Sequence, residues 1–581
     1  HTRYWRDWSS DVCSSDLTNW VATAMNDSGI EPDAVANDGN WSGLIPAAAQ
    51  NHRNLVRYRI VARDRLGGEV RVPYADDAGR NFAYFAYDGV PAWSGAARPG
   101  AAGALGTPFT VGTNEMNRLP VYHLIALNKD VEDSTWNDRS HGDEYFWTGT
   151  LVHDGNVYDH VRFRPRGGVW RYAMGKNMWK FDFNRGHDLE ARDNWGRKMP
   201  ADWTKLNLGA SIQQGDYLHR GEHGMFESVG FRLFSLMDVP AGESAYVQFR
   251  VIDDAAESLP TNQYAGDFWG VYLAVEQPDS RFLDAKGLPD GNFYKMEGGF
   301  GDPNNVGPDG PVDSSDLSSF LSNQAATPRP GDSWWRTNFN VGAYFSYQCV
   351  VQAIHHYDIA DGKNYYYYRN PLDGRWTVVP WDLDLTWSDN MYRAGQTGGD
   401  EPFKARVLNN FSTTAPLYPA ISREFRNRVR EFRTLLWNTD EAYRLIDEHA
   451  ALLRGTNTFG LIDADRAQWD YNPVMINAAI VNTSKAGHGR FYQSGVGTKD
   501  FAGMVLKMKQ YVTYRASNPA FSLDTMALEP GKPAAPSLAY EGASSYPANK
   551  LAFRVGTYSG TRPMAAVQWR VGEISRPTHP A

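Results

Sequence analysis

The chain of 581 residues contains only two cysteines, which excludes a fold held together by disulfides and means that a zinc cluster would have to rest on histidines and carboxylates. It also lacks an apolar run of the roughly 18 residues that a membrane-spanning helix requires. Basic residues are not in excess, because 58 Lys and Arg stand against 67 Asp and Glu, a net charge of −9. Nucleic-acid-binding proteins carry a basic surface, so the composition argues against nucleic acid as a partner.

Two widespread catalytic motifs are also missing. The chain has neither the Gly-x-Ser-x-Gly turn of serine hydrolases nor the Gly-x-x-x-x-Gly-Lys-Ser/Thr loop of P-loop proteins. What it does have is 42% hydrophobic residues, 13% aromatic residues, 54 Gly and 32 Pro. This composition is typical of a folded protein with many strands and turns.

The first seventeen residues differ from the rest of the chain. Residues 1–17 (HTRYWRDWSSDVCSSDL) show no helical or strand periodicity and no apolar segment of the kind found in signal peptides. The stretch resembles translated sequencing adaptor, and we interpret it as non-native. One of the two cysteines belongs to it; the other, Cys349, lies in an apolar run and is predicted to be a buried free thiol.

Periodicity divides the remainder into three parts and predicts an α+β fold. Residues 18–110 are expected to form a partial β-sandwich module and a linker, because Leu55–Asp64 alternates like the late strands of fibronectin-III-like modules. The linker is predicted at Ser94–Gly106, which is rich in Gly, Pro and Ala. Residues 111–528 form the main domain, in which strands precede helices and Gly299–Pro330 is predicted to be a long surface loop. Residues 529–581 are expected to hold a linker and the start of a further β module.

The chemically informative segment is Ile354–Trp387, which the pattern predicts to be a helix end followed by a β-hairpin. Asp358 and Asn364 precede the first strand, and Asp382 and Asp384 follow the second. The two ends of a hairpin are adjacent, so the two pairs should converge. Oxygen ligands of this kind suit Mg²⁺ or Mn²⁺, which take one or two protein carboxylates and complete their shell with phosphate and water.

This segment, IHHYDIADGKNYYYYRNPLDGRWTVVPWDLDLTW, resembles the CotH family of secreted atypical protein kinases, named for a spore-coat protein. The family pattern is H-x-D, then N-N-Y-Y-L-Y-R-D-P and I-P-W-D-L-D. Val161–Phe183, Trp269–Leu283 and Asn292–Gly299 are similar to three further family segments, so the resemblance covers about residues 111–528. One departure is that Gly168-Val169-Trp170 stands where the family has Ser-Ser.

The resemblance implies an atypical kinase-like domain that transfers the γ-phosphoryl group of ATP to a protein hydroxyl with Mg²⁺ or Mn²⁺. It implies catalytic roles for Asp358 and Asp382, with Asn364, Asp382 and Asp384 as metal ligands. It also implies contacts with ATP by Lys176, Lys180, Arg166, Glu227 and Glu276. Among these, Glu227 is expected to act by pairing with the lysine. Each residue has a structural alternative, namely a loop cap, a turn residue, a solvated strand end or helix face, or a salt bridge.

Two other function classes stay open. The chain could be a non-catalytic cell-surface or coat protein that keeps the kinase-like fold as an interaction module, an alternative favoured by the flanking β modules and the replaced Ser-Ser. A metal-dependent carbohydrate-binding protein is motivated only by the 20 tryptophans and the β modules. The resemblance implies a secreted or cell-surface location, with a protein substrate or surface and coat partners.

Overall fold

The structure is a computed structural model, and the residues it describes are 2–6, 20–77, 79–97, 106–137, 144–167, 175–211, 222–253, 256–360, 362–388, 418–483, 498, 500–518, 522–528, 533–534, 536–547, 549–561, 563–564 and 566–567. Strands dominate the first half of the described chain and helices the second half. The predicted mixture of α and β structure is therefore confirmed. In the described residues, no helix combines the length and the apolar character needed to cross a membrane.

The N-terminal part forms a five-stranded sheet around one long central strand. Its strands are β1 (Thr2–Arg6), β2 (Val21–Ala24), β3 (Asn54–Arg63), β4 (Glu69–Val72) and β5 (Phe82–Ala86). The central strand β3 pairs with β1, β4 and β5, which confirms the strand predicted from the alternation at Leu55–Asp64. β1 lies in the segment without strand periodicity; it joins the sheet through backbone hydrogen bonds, which need no side-chain pattern.

A short ribbon follows this sheet, made of β6 (Trp93–Gly95) and β7 (Phe109–Val111). Ser94 and Gly95, which the composition assigned to the linker, therefore belong to a strand. Trp93 and Val111 are buried in the main hydrophobic core, so the ribbon is fixed to the following domain by apolar packing. Residues 98–105 of the predicted linker lie outside the described residues.

Seven strands of the main domain close into a barrel. They are β8 (Val121–Ile125), β9 (Trp147–His153), β10 (Asn156–Pro165), β11 (Trp179–Asp182), β12 (Lys205–Gly209), β13 (Ser244–Ile252) and β14 (Phe268–Glu276). The order around the barrel is β10-β11-β12-β14-β13-β8-β9, antiparallel except for β13 with β8. Buried aromatic rings, among them Trp179, Phe181 and Phe249, pack together in its core.

A second sheet of four strands carries the predicted hairpin. Its order is β16-β15-β17-β18, with β15 (Phe293–Glu297), β16 (Phe300–Asn305), β17 (Tyr365–Arg369) and β18 (Trp376–Pro380). The interpretation of Gly299–Pro330 as a surface loop is wrong, because it contains β16 and the helix Ser315–Gln324. Leu317 and Phe320 of that helix are buried, and this apolar face is what orders a segment rich in Asp, Gly and Ser.

Thirteen α-helices are described, most of them in the second half of the chain: α1 (Thr113–Met116), α2 (Asn128–Glu132), α3 (Met225–Leu236), α4 (Ser280–Ala285), α5 (Ser315–Gln324), α6 (Asp332–Asn338), α7 (Val341–Ile354), α8 (Pro419–Leu435), α9 (Glu441–Arg454), α10 (Leu461–Trp469), α11 (Pro473–Ile476), α12 (Phe501–Ser517) and α13 (Leu523–Met526). α7 is buried along almost its whole length and carries the buried free thiol of Cys349, as predicted. α3 packs between the barrel and α7, which sets it beside the hairpin. A small ribbon of β19 (Leu538–Tyr540) and β20 (Phe553–Val555) lies near the end of the chain.

Candidate active site

The β17–β18 hairpin brings the two predicted pairs of side chains together. Tyr365 pairs with Pro380, and the backbone N–H of Trp381 donates to the carbonyl of Asn364 over 3.2 Å. Asn364 and Asp382 both have left-handed backbone, with φ of 62° and 55°. Asn and Asp tolerate this conformation better than most residues. The chain therefore turns sharply on each side of the ladder, at the same end of the hairpin.

Asp358 lies in the 3₁₀ turn Tyr357–Ile359, and both of its carboxylate oxygens have a donor. The Asn364 amide nitrogen donates to Oδ2 over 2.7 Å, and Lys363 Nζ lies 3.2 Å from Oδ1. Burial raises the pKa of Asp358, Lys363 opposes that rise, and the nearby charge of Asp382 adds to it. The net effect is a carboxylate that is held in one orientation and is more basic than an exposed aspartate.

Arg166 connects the barrel to the hairpin. Its backbone N–H donates to Met178 across the β10–β11 pair, which fixes its position at the end of β10. Its guanidinium lies 5.5 Å from the ring centre of Trp381, and Nη2 is 3.6 Å from Asp382 Oδ1. The cation is therefore held against the hairpin by both a ring face and a carboxylate.

Two further carboxylates face the same region. Burial, and then the charge of Asp382, raises the pKa of Glu227 on α3 to about 7, while Arg166 opposes the rise. Gly209 of β12 gives Glu227 room, since a Cβ there would lie 3.2 Å from Glu227 Oε2. The pKa of Asp384 is raised well above its ordinary value, first by burial and then by Asp382, Glu227 and Asp358. The four carboxylates thus repel one another.

A divalent cation would relieve this repulsion, so the next question is whether the donor atoms suit one. The donor set is carboxylate oxygen with one amide, the chemistry that Mg²⁺ and Mn²⁺ prefer, and the nearby cations are Arg166 and Lys363. The hairpin carboxylates do not bring three ligand atoms within 4.8 Å of one another; among the described residues only Asp27, Asp33 and Asp38 do so. Mg²⁺ needs only one or two protein carboxylates when phosphate supplies other ligands, so the hairpin set fits an ion that binds together with a nucleotide.

The two candidate lysines have different surroundings although they are four residues apart. Lys180 lies on β11 between Arg164 of β10 and Asn207 of β12, and burial lowers its pKa to about 8. Among the described residues, its nearest carboxylate oxygen is on Asp182, 3.9 Å away. Lys180 is therefore a half-buried cation whose ion pair in the described chain is long.

Lys176 is fully buried, and its ammonium group is already fully engaged. Nζ donates to both oxygens of Asp465 over 2.9 and 3.1 Å and to the carbonyl of Val271 over 2.7 Å. His223 Nδ1 lies 3.2 Å from the same Asp465 carboxylate. Glu227 forms an ion pair with neither lysine; in the described chain the partner of Lys176 is Asp465 on α10.

Glu276 lies at the end of β14, with a different set of partners. Its Oε2 accepts a 3.0 Å hydrogen bond from the backbone N–H of Glu243. Burial raises the pKa of Glu276 to about 7, and Lys286 is the main opposing charge. The carboxylates at the hairpin do not contribute, so the structure brings together Arg166, Glu227, Asp358, Asn364, Asp382 and Asp384, but not Glu276 or Lys176.

Two neighbours of these residues went unassigned in the sequence. Lys363 directly precedes Asn364, and its position between Asp358 and the first hairpin strand was the signal that could have identified it. His356 Nε2 lies 3.2 Å from the carbonyl of Trp381, and burial lowers the pKa of this histidine to about 4, so its ring is neutral at neutral pH. It joins the end of α7 to the strand end that carries Asp382.

The chain matches the model of a known protein family. The family model described as CotH kinase protein matches residues 163–518, more than half of the chain. The matched range includes all the candidate residues from Arg166 to Asp384. No curated protein matches the chain.

Proposed function

The chain belongs to the CotH kinase protein family, and from this membership and the hairpin geometry we propose that it transfers the γ-phosphoryl group of ATP to a protein hydroxyl. The observation that carries the proposal is the convergence of Asp358 and Asn364 with Asp382 and Asp384, opposite Arg166 of the barrel. Phosphoryl transfer needs positioned groups and neutralised charge more than covalent chemistry, and this arrangement supplies both.

Asp358 is the residue that would orient the acceptor hydroxyl and receive its proton. Lys363 and Asn364 fix its two oxygens, and its raised pKa makes it a better base than an exposed aspartate. Because both oxygens are held by donors, the side chain loses little conformational entropy when it binds a substrate hydroxyl.

Asp382, Asp384 and Asn364 would hold Mg²⁺ or Mn²⁺, which when bound supplies positive charge to the phosphates. The mutual rise in carboxylate pKa values supports this role, because a cation relieves the repulsion among them. Glu227 adds its charge to the same set from α3 and, in this arrangement, does not serve as the partner of a lysine.

Arg166 and Lys180 are the cations that would meet phosphate oxygens. Arg166 can offer a planar fork of N–H donors, and the ion pair of Lys180 that the structure describes, with Asp182 at 3.9 Å, is long and easily given up. The contacts favour Lys180 over Lys176, because a phosphate could reach Lys176 only by displacing Asp465 from a buried site. Glu276 is left as a structural residue that holds the start of β13.

The test is incorporation of label from γ-labelled ATP with Mg²⁺ or Mn²⁺, measured on the chain itself and on a general acceptor protein. Asp382→Asn should lower the rate at least a hundredfold while leaving the fold intact. Asp373→Asn, in the turn of the same hairpin, is the matched control and should keep wild-type activity. Absence of both label transfer and nucleotide-dependent thermal stabilisation in the wild type would overturn the proposal.

The alternative of a non-catalytic surface or coat protein rests on two sequence features. One is the pair of flanking β modules expected from the sequence, and the other is Gly168-Val169-Trp170 at the position of the family's Ser-Ser. This alternative predicts that the melting temperature is the same with and without ATP and Mn²⁺. The same thermal measurement therefore separates the two functions.

A further inference from the structure

A second polar site lies beside α3, apart from the hairpin. A cavity of about 460 Å³ is enclosed by α3, the start of β13, α9 and the segment 193–200. Its volume falls within the range of small-molecule sites. α3 contributes Ser228, Arg232 and Ser235 to its wall, and α9 contributes His449.

Arg232 is the unusual residue of this cavity. Its Nε is buried and has no hydrogen-bond partner, and among the described residues no carboxylate forms an ion pair with the guanidinium. Burial lowers the pKa of Arg232, with Glu243 and Glu448 acting only as more distant charges. An arginine remains protonated at any physiological pH, so an unpaired guanidinium in a partly dry site is costly unless an anion meets it.

The other charges around the cavity already have partners. Arg197 Nε is 2.7 Å from Asp193, and Lys286 Nζ is 2.6 Å from Glu243. Lys198 Nζ lies 3.1 Å from Glu190 and 3.0 Å from Asp202, and Glu448 is paired with Arg444. The carboxylates closest to Arg232 thus have closer cationic partners, and within the described part of the chain Arg232 has no ion pair of its own.

The remaining polar groups are neutral and suited to an oxyanion with an attached ring. His449 Nδ1 is 3.1 Å from the hydroxyl of Tyr246, which also hydrogen-bonds Ser228, and burial lowers the pKa of His449 to about 4. Ser235 and Ser244 add hydroxyls to the lining. Trp195 is 39% exposed and offers a ring face at the same cavity.

We propose that this cavity binds a small molecule bearing a carboxylate or a phosphate, with Arg232 as the charge partner of the oxyanion. The planar guanidinium matches either group through two parallel hydrogen bonds. Trp195 and the apolar wall of Phe231 and Leu452 receive the non-polar part of the ligand. The site is separate from phosphoryl transfer and does not depend on the proposed function.

Isothermal titration of the full chain with phenyl phosphate and with phenylacetate tests the site, and the two probes distinguish the two oxyanions. We expect one of them to bind, and Arg232→Gln to weaken that binding at least tenfold. Arg375→Gln, an exposed arginine of the hairpin turn, should leave the affinity unchanged. Arg166→Gln should also leave the affinity unchanged, because Arg166 lies at the candidate active site and does not line this cavity. The variant therefore controls for probe binding at the candidate active site.

Three results would overturn the proposal: no binding of either probe at millimolar concentration, equal binding by wild type and Arg232→Gln, or loss of binding in Arg166→Gln alone. If Arg232→Gln does not fold, Ser235→Trp replaces it as the test, because the indole would fill the cavity. Retained probe binding in a folded Ser235→Trp variant would equally contradict the assignment.

Discussion

The amide nitrogen of Asn364 donates a 2.7 Å hydrogen bond to Oδ2 of Asp358, joining the residue that begins the hairpin to the turn that follows α7. Asn364 can do this because its backbone is left-handed, with φ of 62°. The bond lowers the pKa of Asp358 and so counteracts part of the rise caused by burial. This hydrogen bond therefore acts, together with Lys363, on both the orientation and the pKa of the carboxylate.

Replacing Asn364 by glycine should remove its hydrogen bond to Asp358 without disturbing the backbone of the turn. Gly adopts positive φ without strain, so the turn is kept while the donor is lost. We expect the pKa of Asp358 to rise further in Asn364→Gly, as measured by NMR titration of its carboxyl carbon. Asn364→Ala should show the same pKa change together with a loss of about 1 kcal/mol in stability from its strained φ. An unchanged pKa in both variants would contradict the assigned hydrogen bond.

Replacing each of the two lysines by methionine should lower the free energy of unfolding to very different extents. Lys176→Met leaves Asp465 buried without its cation and should lower the free energy of unfolding by about 3–5 kcal/mol. Lys180→Met removes a half-buried charge without a close partner, so stability should change by less than about 1 kcal/mol. Denaturant unfolding measures both values.

Nucleotide-dependent stabilisation completes this comparison. Under the proposed function, Lys180→Met should lose the thermal shift that ATP and Mn²⁺ give to the wild type. Lys176→Met, measured at a temperature where it is folded, should keep that shift. A reversal of the two phenotypes would show that Lys176 is the lysine that meets phosphate.

The hairpin could be predicted because its information is local. The run of four tyrosines, the turn before Arg375 and the flanking polar pairs lie within a few dozen residues, and pairing of the strands brings the polar pairs together. The surroundings of Lys176 could not be predicted in this way. Its partner Asp465 is 289 residues away in the chain, and no spacing rule connects the segment before β11 to a distant helix.

The errors in the fold prediction have a similar origin. Gly299–Pro330 is polar enough to suggest a loop, but burial of Leu317 and Phe320 against the main core stabilises a helix there. Apolar residues keep a helical spacing from Trp334 to His356, which predicts one helix. The structure has two, α6 and α7, because Asn340 accepts a hydrogen bond from the N–H of Ala343 and caps α7. Tertiary packing decided the first case, and a capping residue inside an apolar run decided the second.

Stability should depend on pH through the buried Glu222. Burial raises the pKa of Glu222 to about 8 from an ordinary value of 4.5. Between these pH values the unfolded chain releases this proton while the folded chain retains it, so the contribution to stability is lost as pH rises from 4.5 to 8. Glu222→Gln cannot ionise and can still accept the hydrogen bond from the N–H of Phe226.

The variant should therefore become more stable than the wild type as the pH increases, by on the order of a few kcal/mol at pH 8.5. Urea unfolding at pH 5 and pH 8.5 measures this difference. Glu297→Gln, at an exposed position on β15, is the control and should give the same difference at both pH values. A constant difference for Glu222→Gln would mean that the carboxyl ionises normally in the folded chain.

Docking of the N-terminal sheet on the barrel should depend on one buried ion pair. Arg57 of β3 donates from Nε and Nη2 to the two oxygens of Asp159 on β10, both over 2.8 Å, and Nη2 also donates to Thr150 over 3.0 Å. Arg57→Met should destabilise the chain by about 3–5 kcal/mol, because Asp159 stays buried after losing its arginine and keeps only the weaker contacts with Thr150 and His160. Arg63→Met, on the same strand but in an exposed pair with Glu69, should cost less than about 1 kcal/mol. Limited proteolysis distinguishes local undocking from global loss: cleavage should begin between the first sheet and β8 in Arg57→Met, and equal resistance in the two variants would contradict the role of this pair.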